Sequence, residues 1–204
     1  MLTYLIILAL LFMAELTYFR IADHFNIIDK PNLRSSHTHI TLRGGGIIFL
    51  IGAWLWAVFF GLQYPWFMSG LSIICLVSFI DDIHSAPRRV RLVIQFLAMF
   101  MMFHEIGFFV PRLWWAVVIA LIVCVGIINA YNFMDGINGI TGGYSLTVLL
   151  PLIALNSVGS AGTGYPPYAG FIDNDLLLTV TLSVLVFCFF NFRKKAKCFA
   201  GDVG

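Results

Sequence analysis

Four polar segments separate the apolar runs of this 204-residue sequence, and each holds side chains that could do chemistry. Asp81 and Asp82 form an adjacent acid pair, Asp202 lies in a glycine-flanked turn, residues 129–143 form a polar island, and residues 29–46 carry basic side chains and a Gly-Gly-Gly run. Carboxylate and amide oxygens are hard ligands, which suit magnesium and do not suit a soft metal. Arginine and glycine-rich backbone supply donors for phosphate oxygens. Together these residue types favour diphosphate recognition and phosphoryl transfer.

The polar island reads NAYNFMDGINGITGG. Asn129, Asn132 and Asp135 recur at every third position, so a short helix would point two carboxamides and a carboxylate the same way. The four glycines of the island leave room for a ligand to approach the backbone closely. An alternative stays open, because a polar loop rich in turn formers has the same composition. The acid pair has a similar alternative, in which both residues cap a helix or stay solvated at a membrane interface.

The composition defines the elements that must position these groups. Hydrophobic residues make up 60% of the chain, charged residues 11%, and the mean hydropathy is +0.94. A soluble domain has a charged share of about 25%. We therefore predict an all-α polytopic membrane bundle that forms one domain over residues 1–204. Its seven predicted spans cover residues 1–19, 47–62, 67–80, 92–109, 113–128, 144–156 and 176–192.

The basic residues predict the orientation. Of the 12 Lys and Arg residues, Arg112 alone falls in the loops opposite the others. The positive-inside rule then places the N-terminus outside and the other basic loops in the cytoplasm. All four polar segments fall on that cytoplasmic side, so one composite site is the economical interpretation.

Three motifs, in this order and setting, resemble the signatures of the polyprenyl-phosphate N-acetylhexosamine-1-phosphate transferases, a glycosyltransferase 4 type family. They are Asp81-Asp82 with Arg91 and Gln95, Asn129-x-x-Asn132-x-x-Asp135-Gly136-x-Asn138-Gly139, and Phe199-x-Gly201-Asp202-x-Gly204. The early segment Asp29-x-Pro31-Asn32-x-Arg34-Ser35-Ser36-His37 continues to Thr41-x-Arg43-Gly44-Gly45-Gly46, and it resembles the branch that initiates O-antigen and capsule-type polysaccharides.

The resemblance implies a reaction. A sugar-1-phosphate would pass from a UDP-N-acetylhexosamine to polyprenyl (undecaprenyl) phosphate, giving polyprenyl-diphosphate-sugar and UMP in the first step of lipopolysaccharide or other cell-envelope polysaccharide synthesis. The cofactor would be Mg²⁺, with Mn²⁺ as the alternative, and the enzyme would lie in the bacterial inner membrane with its site facing the cytoplasm. No nucleic-acid partner is implied, and a homodimer is an open arrangement.

The resemblance also assigns residue roles. Asp202 and Asn132 would hold magnesium, and Asp81, Asp82 and Asp202 would be the catalytic carboxylates, with the acid pair near the lipid phosphate. The implied substrate-binding residues are Arg34, His37, Arg43, Arg91, Asn129, Asp135 and Asn138. Many bacterial members carry Asp at the position of Asn138, but an amide can also pair with the donor and acceptor edge of uracil.

Length is the larger departure from the family pattern. Family members have about ten spans and a later His-containing loop, whereas this chain ends inside the third motif, so we expect a fragment that is inactive on its own. A non-catalytic paralogue is therefore an alternative. A transporter would place ionisable residues deep in the bilayer, where only Glu15 is found. A CDP-alcohol phosphotransferase would carry an Asp-Gly-x-x-Ala-Arg signature, which is absent.

Overall fold

The computed structural model describes residues 1–29, 40–84, 87–135, 137–158 and 172–204. This part of the chain is almost entirely helical and contains seven α-helices and one small sheet. In chain order the elements are α1 Leu2–His24, β1 Ile28–Asp29, β2 Thr41–Leu42, α2 Ile47–Phe60, α3 Pro65–Ile83, α4 Arg88–Glu105, α5 Trp114–Met134, α6 Ile140–Val158 and α7 Asn174–Asn191. The predicted all-α membrane bundle is confirmed.

Five of the seven helices in the described part are long and apolar enough to cross a membrane. They are α1, α3, α5 with the 3₁₀ turn that precedes it, α6 and α7. Helix α2 is apolar but has only 14 residues. Helix α4 begins Arg88-Arg89-Val90-Arg91, so its first turn belongs to the polar end of the bundle.

Helix α7 forms the centre of the bundle and packs against α1, α2 and α6. Small residues allow the closest of these approaches, as is common between membrane helices. A Cβ atom on Gly52 of α2 would lie 2.8 Å from Ser183 Oγ of α7. Phe187 of α7 and Trp56 of α2 are fully buried. The helix that precedes the Asp202 turn is therefore held from three sides.

The end of the bundle opposite the acid pair is joined by side-chain caps. Asp173 accepts hydrogen bonds from the Leu176 amide at 2.8 Å and from Trp56 Nε1 at 3.1 Å, which caps α7 and ties it to α2. Glu105, in the last turn of α4, accepts the backbone N–H groups of Trp66 and Phe67 at the start of α3. Asp173 and Glu105 thus accept backbone N–H groups at the starts of α7 and α3, and their role at this end of the bundle is structural.

A short backbone ladder forms where the chain returns after α7. Strands β1 and β2 pair antiparallel, with Ile28 opposite Leu42. The segment after α7 then runs beside β2: the Phe199 amide donates to Leu42 O at 2.8 Å, the Gly45 amide to Phe199 O at 2.8 Å, and the Gly46 amide to Ala200 O at 3.0 Å. We call residues 197–204 the terminal segment. The ladder fixes this segment against the residues that precede α2.

The polar island is less of a loop than the sequence suggested. Its first six residues complete α5 and its last four begin α6, and the described residues between the two helices are Asp135 and residues 137–139. Gly142 lies inside α6, where a Cβ atom would come within 2.5 Å of Cys188 Sγ on α7. The interpretation of this glycine as space for a ligand is therefore wrong, because its missing side chain lets two helices pack.

Candidate active site

Three carboxylates and two guanidinium groups meet at one end of the bundle. Arg91 Nη1 lies 2.8 Å from Asp81 Oδ2 and 3.1 Å from Asp202 Oδ2, so one guanidinium joins two acids. Arg43 Nε lies 3.0 Å from Asp82 Oδ1. All five residues were predicted site residues, and the structure brings them together.

The alternation of helix directions explains this convergence. The acid pair ends α3, Arg91 lies in the first turn of α4, Arg43 precedes α2, and Asp202 follows α7. An up-and-down bundle places these ends on the same side. The polar residues are thus distant in sequence and adjacent in space, because the C-terminal ends of α3 and α7 and the N-terminal ends of α2 and α4 lie on the same side of the bundle.

Asp82 lies beneath the turn that carries Asp202. Its side chain is 0% exposed, and its Oδ1 accepts the Asp202 amide at 3.1 Å as well as the Arg43 contact. Its Oδ2 is buried and has no hydrogen-bond partner among the described residues. Gly201 permits this packing, since a Cβ atom there would lie 2.5 Å from Asp82 Oδ2 and its φ of +74° favours glycine. Asp82 therefore positions the Asp202 turn, and its predicted catalytic role stays a prediction.

Asp135 holds the same turn from the other side. Its Oδ2 accepts the Gly201 amide at 2.7 Å, and its Oδ1 accepts the Ala200 amide at 3.1 Å and the Thr141 hydroxyl at 2.9 Å. Burial raises the pKa of Asp135 to about 6, although these hydrogen bonds stabilise the ionised form and oppose the rise. The structure shows that Asp135 holds the backbone of the Asp202 turn. Its predicted contact to a nucleotide stays a prediction.

The environment of Asp202 disfavours its charged form. Burial, a hydrogen bond to the Asp81 side chain and the charge of Asp82 raise the pKa of Asp202 to about 6, while Arg91 and Arg43 act in the opposite direction. The Asp202 side chain is 15% exposed, so it reaches the surface of the site. A carboxylate crowded by other carboxylates is a favourable place for an added cation.

A cavity of about 220 Å³ opens beside this cluster. Asn132, Asp135, Asp202 and Arg43 line it, together with Asp29, the first residue of the early motif, to which the sequence analysis assigned no role. A second, mostly apolar cavity of about 230 Å³ adjoins it and shares Asn132 and Asp202. Asn132 and Asp202, the two predicted metal ligands, thus border a polar and an apolar space at once.

The donor chemistry of the polar cavity fits magnesium. In the described ranges, no group of three His, Cys, Asp or Glu side chains converges as a ready metal cluster. Mg²⁺ does not require one, because it is commonly held by one or two protein oxygens, with substrate phosphates and water completing its shell. Asp202 and Asn132 supply such oxygens to one cavity.

Two predicted substrate-binding amides make structural contacts. Asn129 Nδ2 donates to Gln95 Oε1 at 2.9 Å and to Val125 O at 2.8 Å, so it joins α5 to α4. Asn138 Nδ2 donates to Arg193 O at 3.1 Å, at the end of α7. Neither residue lines the polar cavity. The other two predicted residues, Arg34 and His37, lie outside the described residues.

The Gly-Gly-Gly run also differs from expectation. The amides of Gly45 and Gly46 donate to carbonyl groups of the terminal segment, at 2.8 and 3.0 Å, and so are not free to bind phosphate.

Asn191 is a further residue that the sequence analysis missed. It is 1% exposed, accepts the Gly139 amide at 2.7 Å and donates to Cys198 O at 2.8 Å. Its only sequence signal is a polar residue at the end of an apolar run.

The fold and the site define a class, a multi-pass helical membrane protein with an acid and arginine cluster at one end of its bundle. The sequence profile described as glycosyl transferase family 4 matches residues 64–204, and the chain belongs to this family. The match contains all three motifs that carried the resemblance.

Curated relatives agree with the family. The chain is 28% identical over 200 residues to the probable undecaprenyl-phosphate N-acetylglucosaminyl 1-phosphate transferase of Bacillus subtilis, which covers 91% of this chain and 53% of that protein. It is 28% identical to the phospho-N-acetylmuramoyl-pentapeptide-transferase of Thermotoga maritima, over 78% of this chain and 54% of that protein. It is 30% identical to the undecaprenyl-phosphate alpha-N-acetylglucosaminyl 1-phosphate transferase of Yersinia pestis, over 70% of this chain and 42% of that protein. The chain spans about half the length of these relatives.

Proposed function

We propose that this chain carries the metal and phosphate part of the active site of a polyprenyl-phosphate N-acetylhexosamine-1-phosphate transferase. The observation that carries the proposal is the meeting of Asp81, Asp82 and Asp202 with Arg43 and Arg91 beside a polar cavity. The names of the relatives supply the reaction class. The donor would be a UDP-N-acetylhexosamine and the acceptor polyprenyl phosphate.

The reaction exchanges one phosphoanhydride for another. An oxygen of the lipid phosphate attacks the sugar-bearing phosphorus of the donor, the bond to the UMP phosphate breaks, and UMP leaves with the electron pair. Because the bonds broken and formed are of the same kind, the site must mainly hold two anions together and stabilise charge in the transition state.

The residues divide this work by their positions. Asp202 and Asn132 would hold Mg²⁺, or Mn²⁺ in its place, which when bound offsets phosphate charge. Arg91 already bridges Asp81 and Asp202, so it can turn a guanidinium N–H group towards a phosphate while keeping Asp202 in place. The adjoining apolar cavity, lined in part by Leu71, Ile74 and Met99, is a suitable space for the start of a lipid chain.

The distribution of basic residues supports a cytoplasmic site. Arg43, Arg91 and the run from Arg193 to Lys195 all lie at the same end of the bundle as the carboxylates, which is the end that the positive-inside rule assigns to the cytoplasm. A soluble nucleotide sugar and magnesium are available there. We therefore propose an inner-membrane enzyme with its site at the cytoplasmic face, acting in cell-envelope polysaccharide synthesis.

The test is a transfer assay in membranes, run with the 204-residue chain and with the longest polypeptide that its gene encodes. UMP release and lipid-linked sugar are measured with a panel of UDP-N-acetylhexosamines. Asp202→Asn keeps the size of the side chain and removes its charge, and should lower kcat by a factor on the order of 10³. The matched control is Asp175→Asn at the opposite end of the bundle, which should keep activity. Near-normal kcat for Asp202→Asn at saturating magnesium would refute the metal assignment.

A further inference from the structure

A second polar cavity lies on the other face of the ladder. Its volume is about 780 Å³, and it is bordered by the end of α1, the β1 and β2 strands and the residues that follow α7. It shares no lining residue with the polar cavity of the candidate active site: Leu42 faces this space and Arg43 faces the other. We call it the basic groove.

Four cations line the basic groove, namely Arg20, Arg193, Lys195 and Lys197, against a single carboxylate, Asp23. All four are exposed, and within the described part of the chain none forms a salt bridge. The groove therefore carries an excess of positive charge that nothing described in the protein neutralises. Such a concentration of cations at one cavity attracts an anion.

The groove also has an apolar wall. Leu16 of α1 and Ile40 line it with exposed apolar side chains, while Phe19 is buried behind Lys197, whose Nζ lies 5.1 Å from the centre of the Phe19 ring. The Arg193 guanidinium lies 4.9 Å from the Phe189 ring of α7. Aromatic faces hold these cations by cation–π attraction without neutralising them, so their charge remains available to a ligand.

The position of the groove selects the class of anion. It lies where α1 and α7, both long and apolar enough to span a membrane, reach their last turns. Lipid headgroups occupy this level, and basic pockets between membrane helices on the cytoplasmic side suit anionic headgroups. A soluble anion would use the cations but would leave the apolar wall of Leu16 and Ile40 uncovered.

We propose that the basic groove binds the phosphate headgroup of an anionic membrane glycerophospholipid, with an acyl chain along the apolar wall. Lys197 is the first residue of the terminal segment, and its carbonyl oxygen accepts the Leu42 amide in the ladder at 3.3 Å. A bound headgroup therefore contacts the same segment that carries Asp202. This site is independent of the proposed transferase activity.

The experiment measures lipid binding to the purified 204-residue chain by native mass spectrometry in zwitterionic detergent. Phosphatidylglycerol is titrated against phosphatidylcholine. The test variant Lys195→Gln/Lys197→Gln should raise the Kd for phosphatidylglycerol by about tenfold or more. Each basic residue near the headgroup adds to the electrostatic attraction of the anionic lipid, and the variant removes two of them. Arg88→Gln/Arg89→Gln removes two exposed cations from the start of α4, outside the groove, and should change the Kd by less than about twofold.

Two further variants protect the test against misfolding. Arg20→Gln alters an exposed residue at the end of α1 and should weaken phosphatidylglycerol binding severalfold. Asp23→Asn removes the carboxylate of the groove and should strengthen binding by about threefold, an increase that a damaged fold would not give.

Four outcomes would overturn the proposal. One is equal affinity for phosphatidylcholine and phosphatidylglycerol. Another is an equal loss of affinity in the control pair, which would show general attraction to anionic lipid. The third is displacement of the lipid by glycerol phosphate or inorganic phosphate at equal concentration, which would assign the groove to a soluble anion. Preference for polyprenyl phosphate over phosphatidylglycerol would likewise refute a glycerophospholipid site.

Discussion

Replacing Gly46 by alanine tests whether the terminal segment must dock before Asp202 can act. A Cβ atom at Gly46 would lie 2.2 Å from Gly204 Cα, 2.6 Å from Gly204 N and 2.9 Å from Ala200 O. All three are backbone atoms, so no side-chain rotation relieves the overlap. The terminal segment must move away from the start of α2, and the hydrogen bond from the Gly46 amide to Ala200 O must lengthen.

The size of the effect follows from the overlap. Forcing a methyl group into a packed contact costs about 1–3 kcal/mol. At about 2 kcal/mol, local opening of the terminal segment becomes about 30-fold more frequent, because 1.4 kcal/mol corresponds to a tenfold change. Hydrogen exchange of the peptide that contains residues 197–204 should accelerate by that factor. If the chain is active, kcat should fall by about 10²-fold, as expected for a misplaced catalytic group.

Two other glycines complete the series. At Gly45 the new Cβ atom would lie 2.8 Å from Cys198 Sγ, which is a side-chain atom. Gly45→Ala should therefore accelerate hydrogen exchange of the terminal segment less than Gly46→Ala does, and adding Cys198→Gly should partly restore slow exchange. Gly126, in α5, has no atom within 4 Å of its Cβ position, and Gly126→Ala should leave exchange of the terminal segment unchanged. If Gly46→Ala kept normal exchange and raised only the KM for the nucleotide sugar, the glycines would serve phosphate binding and the packing argument would be wrong.

Three further predictions test the charges and the orientation. Arg91→Gln leaves Asp81 and Asp202 without their shared guanidinium and should lower kcat by about 10²-fold, with partial recovery in Arg91→Lys; unchanged kinetics would remove Arg91 from the site. Magnesium should raise the thermal midpoint of the purified chain and chelation should reverse this, an effect that Asp202→Asn should abolish; an equal rise in that variant would place the ion elsewhere. Cysteines introduced at Tyr64 and Arg112 should react with an impermeant thiol reagent applied to the periplasmic side, whereas labelling only after permeabilisation would invert the predicted topology.

The location of the site could be predicted from the sequence because it depends on long-range regularities. Apolar runs predicted seven helices that cross the membrane in alternating directions. The bias of Lys and Arg predicted which of the connecting loops lie on the same side. Asp81, Asp82, Arg43, Arg91 and Asp202 therefore had to converge if the bundle was regular. This prediction does not require their exact contacts, since the direction of each helix alone decides which helix ends lie on the same side of the membrane.

The direction of individual side chains could not be predicted in the same way. Asn129 and Asn132 lie three residues apart on one helix, yet Asn129 bonds to Gln95 of α4 and Asn132 lines the polar cavity. Which face of α5 meets α4 depends on packing that a three-residue spacing does not encode. Strands β1 and β2 have two residues each, which is too short for a periodic pattern.

The charges at the site indicate why a metal and a phosphate would bind there together. Asp81, Asp82, Asp135 and Asp202 share the region with only two guanidinium groups, so the described cluster has two more carboxylates than arginines. The raised pKa values of Asp135 and Asp202 show that their charged forms are held at a cost in free energy. A divalent cation would offset the excess charge, and it would then present an electropositive surface to a diphosphate that the carboxylates alone would repel. Asp82 and Asp135 lie buried beneath the Asp202 turn and accept its backbone amides, so the turn would stay in place during the proposed transfer.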